Sequence, residues 1–229
     1  MKTLLLTGSD SRMFNVLDLT LQSKIKYCSK HGYDLFVKKE WLPVKEANFD
    51  TKHVGFLRVF YALQMLSLYD CVMWIDADAF ITNFDYKIEN ITDADHCFFA
   101  SCDWHFKQEN DDSPFNTGNF IVRKNKNIDS FIESFMNTSQ IFLSSDLQEQ
   151  QTINHMYFNK IQDKNIKKVD KKYLNSVPQL MHETQTWSGR PNVENPWTKD
   201  SFIAHLTGAK NYERIIIFNK MQEILNNNS

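Results

Sequence analysis

The sequence has no Cys-x-x-Cys pair, no long apolar run, no marked excess of either charge, and little glycine or proline. Each absence excludes something. The four cysteines, Cys28, Cys71, Cys97 and Cys102, lack that pairing and follow no signal peptide, so they fit a reducing compartment better than a disulfide framework. His96, Cys97, Cys102 and His105 match none of the common zinc-ligand spacings and read as ordinary strand and loop residues. No apolar run approaches the ~18 residues of a membrane span, and Lys2 to Leu6 is too short for a signal h-region. The sequons Asn90-Ile91-Thr92 and Asn137-Thr138-Ser139 are idle without secretion. The expectation is a soluble, cytoplasmic chain with no transmembrane segment. A net charge of −2 leaves no electrostatic footprint for nucleic acid or an anionic membrane. With 6 Gly and 5 Pro in 229 residues and no internal repeat, flexible linkers are few, and one domain over 1–229 is expected.

What the chain does have is Val72-Met73-Trp74-Ile75-Asp76-Ala77-Asp78-Ala79-Phe80, an apolar run that ends abruptly in two carboxylates. In extended chain, residues two apart point the same way, so Asp76 and Asp78 share a side. Two acids side by side at the end of a buried strand repel unless a cation sits between them. Oxygen ligands suit Mg²⁺ or Mn²⁺, which commonly also hold substrate phosphates. The stretch reads as a metal–diphosphate site.

Around it, Thr3 to Thr7 reads as a buried strand ending in the polar turn Gly8-Ser9-Asp10. Phe14, Leu17, Leu21, Ile25 and Cys28 recur at helical spacing, with His31-Gly32 closing the helix. A strand over Tyr33 to Val37, a helix over 54–69 and the strand 71–75 follow. This strand–helix–strand–helix–strand order predicts an α/β fold with a parallel sheet wound in right-handed crossovers. Further on, strands are expected over 97–101, 119–122, 167–173 and 202–204, and helices over 128–142, 147–160 and 211–225. In such sheets, ligands bind beyond the carboxyl ends of the strands, where strand order reverses. The turn after Thr7 and the acids after Ile75 both lie on that rim, within reach of one nucleotide.

Four later segments add to this: Phe115-Asn116-Thr117-Gly118 just before a strand, Glu149-Gln150-Gln151, Val177-Pro178-Gln179, and His205-Leu206-Thr207-Gly208-Ala209-Lys210. A histidine ending an apolar strand can complete a metal shell, glycine permits close backbone approach, and lysine is a point charge suited to phosphate. In their joint order, these motifs and Trp74-Ile75-Asp76-Ala77-Asp78-Ala79 resemble a nucleotide-sugar glycosyltransferase of the GT-A fold. The chain is most similar to the retaining galactosyl-, xylosyl- and mannosyltransferases of glycosyltransferase family 34, over roughly residues 54–210. The related family 8 shares the aspartate pair and the histidine–lysine motif, with the lysine spaced slightly further away. The resemblance implies a single-domain GT-A catalytic unit, Rossmann-like, with a mostly parallel central sheet flanked by helices. Eukaryotic members usually add an N-terminal anchor and stem, and neither is expected here.

Carried over by position, the resemblance implies Asp76, Asp78 and His205 as ligands of Mn²⁺ (or Mg²⁺), with Asp76 also touching the donor ribose. Lys210 and Gly208 would meet the donor diphosphate, and Asp103 and Asn116 the donor-sugar hydroxyls. Arg58 would lie near the nucleotide or sugar, while Thr7 and Gly8 are expected beside the nucleotide from their place on the sheet rim. Gln150 would sit beneath the sugar ring, and Gln150, Lys210 and Asp78 would carry the chemistry. The partners expected are a nucleoside-diphosphate sugar, with uridine favoured, and a glycan or other hydroxyl acceptor.

An amide such as Gln150 is a poor nucleophile, so the expected route is front-face substitution with retention, with Glu149 the alternative nucleophile. The loops 103–114 and 178–196 are expected to serve the acceptor, the second as a lid carrying Trp187, Gly189 and Arg190. Two other readings stand beside this one. A haloacid-dehalogenase-type phosphohydrolase also follows a buried strand with Asp-x-Asp, but places Thr or Val where this chain has Phe80. A non-catalytic sugar-nucleotide or glycan-binding module of the same fold would keep the same motifs.

Overall fold

Along each central strand of the computed structural model, alternate residues feed two separate apolar cores. The structure describes residues 1–103, 112–178 and 196–226. Its strands are β1 (Thr3–Gly8), β2 (Asp34–Lys38), β3 (Cys71–Asp76), β4 (Ala79–Ile81), β5 (Phe98–Cys102), β6 (Phe115–Arg123), β7 (Ile166–Val169) and β8 (Ile203–His205). Its helices are α1 (Phe14–His31), α2 (Val54–Met65), α3 (Ile88–Ile91), α4 (Ile128–Ser139), α5 (Gln148–Phe158), α6 (Lys171–Leu174) and α7 (Asn211–Asn226).

Six strands form one sheet in the order β2-β1-β3-β6-β5-β7. β1 pairs in parallel with both β2 and β3, and β5 in parallel with β7. β6 alone runs against its neighbours β3 and β5, so the sheet is mixed but mostly parallel. Leu4, Leu6, Val72, Trp74, Phe98 and Phe120 face one core, with α2, α4 and α5 packed on them. Leu5, Cys71, Met73, Ile75, Phe99 and Ile121 face the other, covered by α1, α3 and α6. A residue-by-residue switch of side along one strand is what keeps two helical layers on one sheet.

Strand order reverses beside β1, since β2 lies on one side of it and β3 on the other. The acids at the end of β3 therefore emerge on the rim where the sheet leaves a crevice. β4 and β8 form a separate two-stranded antiparallel sheet just beyond, pairing Ala79 with His205, Phe80 with Ala204 and Ile81 with Ile203. The Leu206 N–H also donates to the Asp78 carbonyl at 2.9 Å.

α1 ends where expected, at Gly32 with φ 69°, a left-handed position that costs glycine nothing. Its buried face differs from the expected stripe: Ile25 is exposed, and Thr20 and Lys24 are buried beside Leu17, Tyr27 and Cys28. α2 stops at Met65 rather than Tyr69, its last residues closing in tighter turns. Residues 171–173, expected as strand, form the start of α6 because the Asp170 side chain caps the Lys172 N–H. Phe115 to Gly118 lies inside β6 rather than before it. The pairing of β5 with β6 jumps there from Ala100↔Phe120 to Ser101↔Asn116, leaving Thr117, Gly118 and Asn119 without β5 partners. β4 had no counterpart in the expected elements.

All four cysteines are buried, and none is bonded to another. Among the described residues no helix is long and apolar enough to cross a membrane. Gln179, His105, Trp187, Gly189, Arg190 and most of the two expected acceptor loops lie outside the described residues.

Candidate active site

The site grows out of the end of β3. Trp74 and Asp76 share a side of that strand, and the Trp74 indole N–H donates to Asp76 Oδ1 at 2.7 Å. Arg58, from α2, donates to the same oxygen at 2.5 Å through Nη1. Its Nη2 pairs with Glu149 Oε1 on α5, which also accepts from Thr117 Oγ1 at 2.8 Å. On the second acid, Arg214 of α7 holds Asp78 Oδ2 at 2.8 Å. The two arginines thus take one oxygen of each acid. The other oxygens turn inward: Asp78 Oδ1 lies 3.5 Å from His205 Nε2 and Asp76 Oδ2 lies 4.0 Å from it.

His205 is buried, and its surroundings orient the ring. Asn175 Nδ2 donates to the Cys102 carbonyl at 3.0 Å, which turns Asn175 Oδ1 toward the imidazole. That oxygen lies 2.8 Å from His205 Nδ1, so Nε2 is the ring nitrogen turned to the acids. One ligand atom from each of Asp76, Asp78 and His205 lies within 4.8 Å of the others. Two carboxylate oxygens and one imidazole nitrogen fit a divalent cation. Gly118 makes the convergence possible. A Cβ there would come 2.4 Å from His205 Cε1 and 2.9 Å from Asp76 Oδ2. The shift of register in β6 is what delivers this glycine.

The acids differ in their charge equilibria. Burial raises the Asp76 carboxyl, with Asp78 adding to the effect and Arg58 and His205 opposing it, and the net direction is up. Burial also acts to raise Asp78, but the His205 hydrogen bond and the Arg214 charge outweigh it and hold it below the usual range. A cation between the two would relieve the first without disturbing the second.

Behind the acids lies a polar network. Lys24 Nζ, on a fully buried side chain, lies 3.1 Å from Thr7 Oγ1, 3.1 Å from Thr20 Oγ1 and 3.0 Å from the Asp76 carbonyl. Thr7 Oγ1 in turn donates to the Ile75 carbonyl at 2.7 Å, and Thr20 Oγ1 to the Ala77 carbonyl at 2.7 Å. Three linked side chains therefore hold three successive carbonyls of the acid turn. Burial pulls Lys24 down to about 7, with Asp78 and then Asp76 opposing.

Two hollows meet at Asp76 and Arg58. The larger, about 550 Å³, is lined by Asp103, Asn116, Gly118, Glu149, Gln150, His205 and Gly208 among others. The smaller, about 240 Å³, is lined by Gly8, Ser9, Asp10, Trp41, Asp78 and Arg214 among others. Ser9 Oγ, Trp41 Nε1 and Arg58 Nε are buried there without hydrogen-bond partners.

Most of the residues expected from sequence come together here, and two do not. Asp76, Asp78, His205, Arg58, Gly8, Asp103, Asn116, Gln150 and Gly208 line one hollow or both. Gln150 Oε1 accepts from the Thr117 N–H at 3.3 Å, and Asn116 Oδ1 from the Gly118 N–H at 3.0 Å. Thr7 departs from the donor-side expectation: its side chain lines neither hollow, because its hydroxyl is spent on Ile75 and Lys24. Lys210 is exposed at the start of α7, where its backbone N–H donates to Glu213 Oε2 at 2.9 Å, and it too lines neither hollow. Glu149, the alternative nucleophile, is locked between Arg58 and Thr117. Sequence reading missed Lys24, Arg214, Asn175 and Trp41. Only Lys24 left a signal, as a charge in the middle of a helical stripe of buried positions.

A mixed sheet with this strand order, an aspartate pair on its rim and a histidine delivered beside them define a glycosyltransferase of the GT-A type. Three solved structures share the fold. A glycosyltransferase involved in glycosylation of the major capsid of PBCV-1 aligns with TM-score 0.66 at 16% identity, covering 96% of this chain and 100% of that one. The galactosyltransferase LgtC, solved with donor and acceptor sugar analogues, aligns with TM-score 0.56 at 12% identity, over 95% of each chain. Mouse xyloside xylosyltransferase 1 aligns with TM-score 0.51 at 11% identity, over 91% of this chain and 98% of that one. A comparison with curated proteins finds no match. Residues 1–215 match the model of the galactosyl transferase GMA12/MNN10 family, and the chain belongs to that family. It is a glycosyltransferase, as the resemblance in its motifs implied.

Proposed function

We infer that the chain moves a sugar from a nucleoside-diphosphate sugar, with uridine favoured, to a glycan or other hydroxyl acceptor, retaining the anomeric configuration. The observation that carries this reading is the placement of the Asp76–Asp78–His205 group between two hollows. The smaller hollow suits the nucleoside: its buried unpartnered donors Ser9 Oγ, Trp41 Nε1 and Arg58 Nε match the acceptor oxygens of a pyrimidine and a ribose. The larger suits the sugar and the acceptor, with Asp103 and Asn116 directed to hydroxyls and Gln150 beneath the ring. The diphosphate then falls at the acids.

Asp76, Asp78 and His205 would hold Mn²⁺ (or Mg²⁺), which when bound supplies positive charge to the departing diphosphate. Arg58 and Arg214 keep the two inner carboxylate oxygens turned toward His205. Lys210, on an exposed and extensible side chain, would neutralise the leaving group from the solvent side. Glu149 is paired to Arg58 and Gln150 is an amide, so neither offers a free carboxylate beneath the ring, although Asp103 and Asp146 also line the larger hollow. This favours front-face substitution, the acceptor entering on the side the diphosphate leaves.

A thermal-shift panel of sugar nucleotides with and without Mn²⁺ tests the donor, because a ligand that binds only the folded state raises its melting temperature. One nucleotide sugar should stand out, and only with metal. Proton NMR of the product should show the donor's anomeric coupling preserved, and inversion would refute retention. Replacing Lys210 by Ala should lower turnover by roughly two to three orders of magnitude with little change in melting temperature.

A further inference from the structure

The central sheet ends in two edge strands, and their sequences differ in kind. Among the described residues β2 pairs only with β1, and β7 only with β5, so each presents an outer row of backbone N–H and C=O groups. Two copies of one edge strand can pair antiparallel about a two-fold axis normal to the sheet. Such an axis keeps the faces of the sheet, so a central residue lies opposite itself and the rest pair symmetrically around it. β7 reads Ile166-Lys167-Lys168-Val169, and with either lysine at the centre that lysine meets its own copy. Like charges directly opposite are unfavourable.

β2 reads Asp34-Leu35-Phe36-Val37-Lys38, and about Phe36 this pattern is self-complementary. Asp34 falls opposite the partner's Lys38, Leu35 opposite the partner's Val37, and Phe36 opposite its own copy. Asp34, Phe36 and Lys38 share the face on which β1 shows Leu6, the side packed by α2. On that face an aromatic pair would be flanked by two pairs of opposite charge, both favoured across strands. The Phe36 ring is 43% exposed. The Tyr69 hydroxyl donates to Asp34 Oδ2 at 2.9 Å and holds the carboxylate in place. Lys38 Nζ lies 4.2 Å from the centre of the Tyr61 ring, whose hydroxyl donates to the Leu42 carbonyl at 3.4 Å. Leu42 is 60% exposed, so apolar surface continues past the strand.

We propose that β2 is the interface of a homodimer, in which the β2 strands of two copies pair antiparallel about Phe36 and join the two sheets into one. Charges on an edge strand commonly block pairing. They block self-pairing only where a charge meets its like, and here each meets its opposite. The placement of Asp34 and Lys38 at equal distances from Phe36 is what selects a second copy of this chain as the occupant.

Sedimentation equilibrium of the full chain, with hydrogen exchange on the same samples, tests this. The wild type should approach twice the monomer mass as concentration rises, and amides within 35–37 should gain protection in step. Asp34→Lys and Lys38→Asp each set like charges opposite one another twice, and each should weaken self-association at least roughly tenfold. Mixed in equal amounts, the two variants should form a one-to-one dimer, because every lysine of one then faces an aspartate of the other. Phe36→Glu sets an acid against its own copy at a half-exposed site and should give a folded monomer, which keeps the test open if a charge variant does not fold. A wild type still monomeric at roughly 100 µM would leave this edge to a different partner and overturn the proposal. A dimer that survives the single changes, one whose β2 amides stay unprotected, or a mixture whose variants remain apart would overturn it equally.

Discussion

Gly118 lies against both His205 and Asp76 of the candidate metal group without contributing an atom to it. Any side chain there would have to displace the His205 ring or the inner oxygen of Asp76. Gly118→Ala should therefore abolish Mn²⁺-dependent nucleotide binding in a titration, even where circular dichroism shows the fold intact. Asp78→Ala removes one candidate ligand and takes from the partly buried Arg214 guanidinium its carboxylate partner. It should lose the same binding and also lower the melting temperature. At this scale the sequence was informative wherever chemistry is local. Asp76 and Asp78 announce themselves by an abrupt end to an apolar run, and His205 by the glycine and lysine that follow it. Arg214 and Asn175 give no such sign. Each looks like an ordinary polar residue, and its role comes from what tertiary packing brings against it.

Elements were legible where their period was regular and their ends were marked. α1 is the clearest case, with its stripe and its glycine stop. Replacing Gly32 by Ala puts a Cβ into a left-handed position and should cost roughly 1–2 kcal/mol in denaturant unfolding. The kinetic constants should not move, because Gly32 lies at the end of α1 away from the acids. The stripe holds at Leu17 and Cys28 but was read one position off at Leu21 and Ile25. The residues that count toward burial include Thr20 and Lys24, and a polar pair inside a helical face is invisible to a hydrophobic pattern. β4 was missed because three residues are too few to show alternation. Its identity depends wholly on β8, far along the chain. β6 was read too short because its first half, Phe115 to Gly118, contains the amide and glycine residues that usually signal a turn.

For the molecule as a whole, the parallel start of the sheet followed from strand–helix alternation, while the reversed β6 did not. Nothing in a single strand's composition fixes its direction. Both cores draw on the same strands, so neither can be lost without exposing the other face of the sheet. Heating should therefore give a single calorimetric transition for 1–229, with calorimetric and van't Hoff enthalpies equal. Two resolved transitions would argue against one domain.

The pairing of Ala79 with His205 works as a ruler for heredity as well as for geometry. Side chains on a strand alternate, so deleting one residue from Ile203-Ala204-His205 turns the imidazole away from the acids, whatever its effect on stability. Point substitutions at Ile203 or Ala204 that keep size and polarity leave the ruler intact. A frame-preserving loss of a single codon there would break up the candidate metal group in one step while leaving the fold to form. Gene variants of that kind should behave as folded nulls: expressed at normal levels, and silent in any assay of sugar transfer.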